Sequence, residues 1–95
     1  MTIHDLKIDL KEHYSLRDGT KRFEIRKNDR NFQAGDILHL KATLYTGAEM
    51  AEGKPLQYTG EEMLVKVSQI IHGPIYGLAE GWCIMSVIVL TVSLP

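Results

Sequence analysis

Residues Gly19–Arg30 read GTKRFEIRKNDR, and the way this stretch folds decides what the rest of the chain encloses. Phe23 and Ile25 alternate with Arg22, Glu24 and Arg26, the period-2 pattern of a strand running from about Arg22 to Lys27. That period puts the two apolar residues on one face and the charges on the other. Glu24 and Arg26, two apart, then share a face at roughly 7 Å. If that face meets solvent, the pair is worth about 0.5 kcal/mol or less and implies no function. If it lines a concavity, the carboxylate orients the guanidinium and aims its fork at a phosphate, a carboxylate or a base edge. Lys21, in the turn before the strand, would converge on the same spot. Charge-rich strand edges are common, so pattern alone favours the solvated edge.

Outward from this stretch, the chain reads as one small β-rich domain. Its 95 residues support a single modest core, and 44% hydrophobic with 24% charged residues is an ordinary folded composition. IHDLKID alternates as a first strand. Asp9 and Glu12 have capping-box spacing before a short helix whose expected packing stripe is Leu10 and Tyr14 with Leu16 beside it, and Gly19 would close that helix as a left-handed cap. DILHLKATL places Leu38, Leu40, Ala42 and Leu44 inward and His39, Lys41 and Thr43 outward. Residues 45–60 form a polar, glycine-punctuated arm bracketed by two YTG triplets. EEMLVKVSQIIHG carries Met63, Val65 and Val67 on one side and changes phase near Ile70–Ile71, which predicts a bulge. Trp82 to Leu90 is apolar on both faces and reads as a strand buried on both sides. Five or six mostly adjacent strands with one or two short helices, and no repeated strand–helix unit, predict a mainly β (α+β) fold, a partly open β-barrel spanning 1–95.

The totals exclude several functions. Eleven basic and twelve acidic residues give a net charge of −1, so the whole chain does not steer toward nucleic acid or membrane. Any such binding must use a local patch, and 17–30 is the basic one: Arg17, Lys21, Arg22, Arg26, Lys27 and Arg30 against Asp18, Glu24 and Asp29. The lone Cys83 lies in the apolar run GWCIMSVIVL and reads as a buried, inert thiol. One cysteine and the dispersed His4, His13, His39 and His72 offer no zinc-ligand spacing. His4, on the apolar side of the first strand, reads as a satisfied structural histidine. There is no basic-then-apolar leader and no apolar run of roughly 20 residues, so the expectation is a cytoplasmic protein without membrane attachment, metal or cofactor.

Recognised catalytic signatures are missing too. There is no GxSxG elbow and no GxxxxGK[ST] or GxGxxG phosphate loop. Asp5, Asp36, Glu61 or Glu62 would serve as a general base, but nothing singles one out. Tyr14, Phe32, Tyr45, Tyr58, Tyr76 and Trp82 are available for stacking. Tyr76, between Pro74 and Gly77 in a loop, is the one the core needs least.

The spacing G-x-K-x-x-E-x-R, met by Gly19, Lys21, Glu24 and Arg26, resembles the ASCH domain (activating signal cointegrator homology), a branch of the PUA-like β-barrel superfamily. The likeness is closer to small bacterial and phage proteins of unknown function related to ASCH. It is carried by His4-Leu6-Lys7, Phe23 to Arg30, Gly35 to Leu38, Tyr58 to Gly60 and Tyr76 to Leu78, and so covers nearly the whole chain. The resemblance implies a barrel with a cleft floored by Lys21, Glu24 and Arg26 that holds RNA or a nucleotide-like ligand. Lys7, Asn28 and Arg30 would form its rim and Tyr76 a stacking lid, in a monomer or weak dimer. A second ASCH-type branch comprises small amidohydrolases that deacylate N4-acetylcytidine with a Lys, a Thr and a Glu. Lys21 matches that lysine, but Glu24 stands where the threonine belongs, which removes the nucleophile. An enzyme here would rest on Lys21 and Glu24 alone. A third expectation is a phage or mobile-element accessory domain that binds another protein.

Overall fold

A computed structural model describes residues 1–93. Five strands and two short helices follow one another as β1 (Ile3–Asp9), α1 (Leu10–Asp18), β2 (Phe23–Lys27), β3 (Ile37–Thr43), α2 (Gly47–Ala51), β4 (Tyr58–His72) and β5 (Trp82–Ser93). They form one sheet in the order β1-β3-β4-β5-β2, in which only β1 and β3 run parallel. The sheet curls into a partly open barrel, as the strand pattern predicts. Its two edge strands, β1 and β2, face each other across a seam. Side chains rather than strand pairing bridge that seam: Arg26 Nη2 donates to the Lys7 carbonyl at 2.8 Å and Arg30 Nη1 to the Asp5 carbonyl at 3.2 Å.

The core is the inner face of this curl. Leu6 and Ile8 of β1, Leu38, Leu40 and Ala42 of β3, Met63, Val65 and Val67 of β4, and Cys83, Met85 and Val87 of β5 are buried together with Leu16 and Phe32. Each fully buried side chain of this size contributes roughly 1.5–3 kcal/mol. The period-2 pattern of β3 and β4 predicts six of these thirteen residues. The phase change in β4 is also present, as a register shift between Val67 and Gln69, after which Ile70 packs on the core and Ile71 points out.

Several expectations fail, each for a physical reason. On α1 the buried residues are His13 and Leu16, while Tyr14 stays 39% exposed with its hydroxyl donating to Glu61. The helix is too short and too amphiphilic for its apolar spacing to fix the buried face. Its capping box does not form. Asp9 occupies the N-cap without a side-chain bond to the helix, because Asp9 Oδ1 accepts from the Gly47 amide and Glu12 turns to Lys21. Gly19 does close the helix, at φ 85°, with its amide on Leu16 O. On β3 the irregularity between Lys41 and Thr43 breaks the alternation, so Thr43 is buried and donates to Tyr45 O while Leu44 is exposed. β5 has strand neighbours on both edges along Trp82–Ser86, yet only one of its faces is covered, and Trp82, Ile88 and Leu90 are exposed.

Candidate functional site: an inverted strand flooring a cleft

The orientation of β2 sets the site. Its antiparallel register with β5 pairs Glu24 with Met85 and Arg26 with Cys83, both inward-pointing core residues of β5. The charged face of β2 is therefore the inner one, and Phe23 and Ile25 are left outside, both exposed. The solvated edge that pattern alone favours is thus overturned. Glu24 is only 4% exposed, whereas burying an ion is expensive unless it is paired and hydrogen-bonded.

That requirement is met in full. Glu24 Oε1 accepts from Lys21 Nζ at 3.2 Å, and Glu24 Oε2 accepts from Arg26 Nε at 2.9 Å. Lys21 is itself held on its other side by Glu12 Oε2 at 2.6 Å. Burial of the Lys21 ammonium works to lower its pKa, but the hydrogen bond to Glu12 and the charge of Glu24 outweigh it and raise it above 10.5. Lys21 is a committed cation, the opposite of what a lysine base needs. Cys83, facing Arg26 in the register, is fully buried, and burial pushes its thiol above 9.0 despite the nearby guanidinium. It is the inert thiol expected from the sequence.

Above this floor lies a cleft of about 610 Å³, in the size range of small-ligand sites. Its charged lining comprises Lys7, Lys21, Arg26, Lys27 and Arg30 against Asp9, Glu12, Glu24 and Asp29, five cations to four carboxylates. The balance of unused hydrogen bonds is more telling than the charge. Both Glu24 oxygens are taken, while Arg26 Nη1 has no protein partner among the described residues. The floor therefore offers donors to whatever enters. Phe32 closes the bottom with its ring edge-on to His4, Trp82 forms one wall, and Gly47 and Met50 of the α2 arm form another.

Of the residues expected here, Lys21, Glu24 and Arg26 meet at the floor, and Lys7 and Arg30 line the rim. Asn28 does not line the cleft. Its Oδ1 accepts from the Phe32 amide at 2.9 Å and its Nδ2 lies 3.3 Å from His72 Nδ1, so it anchors the turn that seats Phe32. Tyr76 is also outside it, 94% exposed in the β4–β5 loop. The exposed aromatic lining the cleft is Trp82, paired with Lys27 at the end of β2, whereas Phe32 is fully buried beneath it. Sequence reasoning missed Glu12, and it counted Trp82 among the available aromatics but preferred Tyr76. Glu12 was concealed by its capping-box spacing, and the preference against Trp82 came from the apolar run that follows it.

Outside the cleft, His4 and Asp36 form a buried pair. His4 Nε2 lies 2.9 Å from Asp36 Oδ2, the satisfied histidine expected, and Asp36 also accepts from the amides of Thr2 and Gln33. Desolvation of Asp36 works to raise its pKa, but these hydrogen bonds outweigh it and hold the carboxyl below 3.8. Among the described residues no group of three or more His, Cys, Asp and Glu is placed to hold a metal ion. No helix among them is long and apolar enough to cross a membrane.

Fold and cleft together define a small, partly open β-barrel with a charged floor inside its seam. The chain belongs to the family described as "Domain of unknown function (DUF3850)", whose profile matches residues 3–87 and so takes in the whole cleft. No curated protein matches the sequence.

Proposed function

We propose that this chain is a PUA-like, ASCH-related binding module that holds RNA or a nucleotide-like ligand in the cleft between β1 and β2. The observation that carries this reading is the buried Glu24, saturated by Lys21 and Arg26 beneath an open cleft. Replacing a buried ion network with apolar residues is often neutral or stabilising, so the network is poorly explained by stability alone. In this reading Arg26 is the anion or base-edge contact, Glu24 orients it, and Lys21 is the second cation. Lys7 and Arg30 flank the ligand, and Trp82 takes the stacking role first given to Tyr76.

Binding is favoured over deacylation of a modified nucleoside. Lys21 is clamped as an ammonium between Glu12 and Glu24, and Glu24 replaces the threonine nucleophile of the amidohydrolase branch. Nucleoside monophosphates and short RNAs, screened by thermal shift and then by calorimetry, test the proposal. We expect a ligand that raises the melting temperature of wild type and not of Arg26→Ala. Equal affinity in both proteins would remove Arg26 from the role. Release of cytidine from an N4-acylated cytidine would favour the enzyme instead.

A further inference from the structure

We propose that the cleft selects a ribonucleotide unit carrying a 5′-phosphate and an unsubstituted 2′,3′-diol, the chemistry of a free mononucleotide or of the 3′ end of an RNA, and rejects RNA interiors. The inference rests on the nucleotide reading of the cleft and narrows it. What carries it is the division of charge along the seam. The ties across the seam fix the order of its residues. Arg30 reaches the Asp5 carbonyl, Arg26 the Lys7 carbonyl, and Lys21, last in this direction, the Glu12 carboxylate of α1. Trp82 belongs to the Arg30 end, since it pairs with Lys27. Asp9 closes β1 at the opposite end, where Gly47 and Met50 of the α2 arm form the wall.

In this order the nine charged side chains lining the cleft separate by sign. Lys7, Arg26, Lys27 and Arg30 stand against Asp29 alone in the half that contains Trp82, a formal +3. Lys21 stands against Asp9, Glu12 and Glu24 in the other half, a formal −2. Lys21 is already engaged there, by Glu12 and Glu24 together. Two carboxylate oxygens of that half have no donor among the described residues. They are Asp9 Oδ2, whose Oδ1 takes the Gly47 amide, and Glu12 Oε1, whose Oε2 takes Lys21. One half of the cleft thus offers cations and donors, and the other offers acceptors.

A nucleotide has the same asymmetry. On a ribose ring the base and the 5′ carbon leave from the two carbons beside the ring oxygen, and the two hydroxyls leave from the opposite edge. A nucleotide whose base stacks on Trp82 and whose 5′-phosphate meets Arg26 therefore turns its hydroxyls toward Asp9 and Glu12. The reach agrees, because Lys7, level with Arg26, and Asp9 are two residues apart on β1, about 7 Å, the span of one sugar. A deoxyribose lacks one of the two donors, and the 2′-hydroxyl is the group that separates RNA from DNA. A phosphate on the 3′ oxygen, which every internal RNA nucleotide carries, brings a second anion to the net-negative half. Like charges brought together are how a site rejects a wrong partner.

The common ribonucleoside 5′-monophosphates, their 2′-deoxy counterparts and their 3′,5′-bisphosphates, titrated by calorimetry in about 0.15 M salt, test this. We expect the ribonucleotides to bind, the bisphosphates to bind about tenfold or more weakly, and the deoxynucleotides about threefold or more weakly. Asp9→Asn keeps an acceptor for the Gly47 amide but removes the charge, and should bring the bisphosphates to within about threefold of the monophosphates. A short single-stranded RNA ending in a free diol, beside the same RNA ending in a 3′-phosphate, separates the two sources. Binding of the diol-ended RNA identifies an RNA end, and its failure where a monophosphate binds identifies a free nucleotide. A bisphosphate, 3′-phosphorylated RNA or deoxynucleotide that binds as tightly as its diol-bearing parent overturns this inference while the nucleotide reading stands. A preference that Asp9→Asn leaves unchanged does the same. Absence of binding by every nucleotide and RNA overturns both.

Discussion

Truncating Glu24 to alanine is the sharpest perturbation of the cleft floor. Glu24 neutralises two cations whose side chains are largely withdrawn from solvent, Lys21 at 17% and Arg26 at 22% exposure. Removing one partner of a buried pair costs roughly 3–5 kcal/mol, because it strands the other charge. Here the strain is softened, since Lys21 keeps Glu12 and Arg26 keeps the Lys7 carbonyl. The lower end, about 3 kcal/mol, therefore applies. Glu24→Gln keeps one acceptor oxygen but turns an amide donor toward a cation, and should cost about 1–2 kcal/mol. Urea unfolding followed by circular dichroism reads both, and at an m-value of about 1.5 kcal/mol per molar, alanine lowers the midpoint by about 2 M. The triple variant Lys21→Met, Glu24→Leu, Arg26→Met removes the whole network and should unfold within about 1 kcal/mol of wild type while losing ligand binding. A Glu24→Ala loss below about 1 kcal/mol, the value of an exposed pair, would refute the reasoning. A triple variant as unstable as the single one would show that the network serves the fold rather than a ligand.

Three further outcomes follow from the same geometry. His13 is fully buried 3.5 Å from Glu61, with neither ring nitrogen hydrogen-bonded, and burial holds its pKa below 6.5 although Glu61 opposes this and Arg17 adds to it. The unfolded chain then binds more protons than the folded one just below pH 6.5, so stability falls as the pH drops from 7 to 5, and His13→Leu should flatten that slope in urea titrations at the two pH values. Asp36 has the lowered carboxyl, so its stabilisation is present above pH 3.8 and fades as the pH falls through its folded value. Asp36→Asn should cost about 2 kcal/mol at pH 7 and progressively less toward pH 2, measured by chemical denaturation across that range. Trp82→Ala should weaken ligand binding by about 1–3 kcal/mol in calorimetry, the worth of one stacked base, and Tyr76→Ala should leave it unchanged.

The β-barrel was legible because β3 and β4 alternate strongly enough for burial to fix their faces. Leu38, Leu40, Met63, Val65 and Val67 are core residues on period alone. β2 shows where that logic stops. Its alternation gives two faces but not which one points in, and the hydrophobic rule chooses wrongly. Phe23 and Ile25 lie outside because pairing with β5, the Lys21 ammonium that Glu12 braces from α1, and the Lys7 carbonyl of β1 hold Glu24 and Arg26 inside. Only the G-x-K-x-x-E-x-R spacing signalled it. Trp82 was counted as available but passed over because it opens an apolar run in which Cys83 and Met85 do face the core, and the role of Glu12 depends on a contact nine residues away at Lys21. Tyr76 looked available because its loop frees it from the core, but the same loop carries it away from the seam.

Trp82 is the sole tryptophan of the chain and stands in the cleft wall, so its emission reports occupancy directly. Titrating wild type and Arg26→Ala with nucleoside monophosphates and a short single-stranded RNA, while following that emission, tests the central claim. The account predicts a saturable change in wild type that Arg26→Ala abolishes while its circular dichroism is unaltered. No saturable change in wild type with ligand up to about 5 mM, an affinity too weak to count as a site, would contradict it, as would the same curve in both proteins.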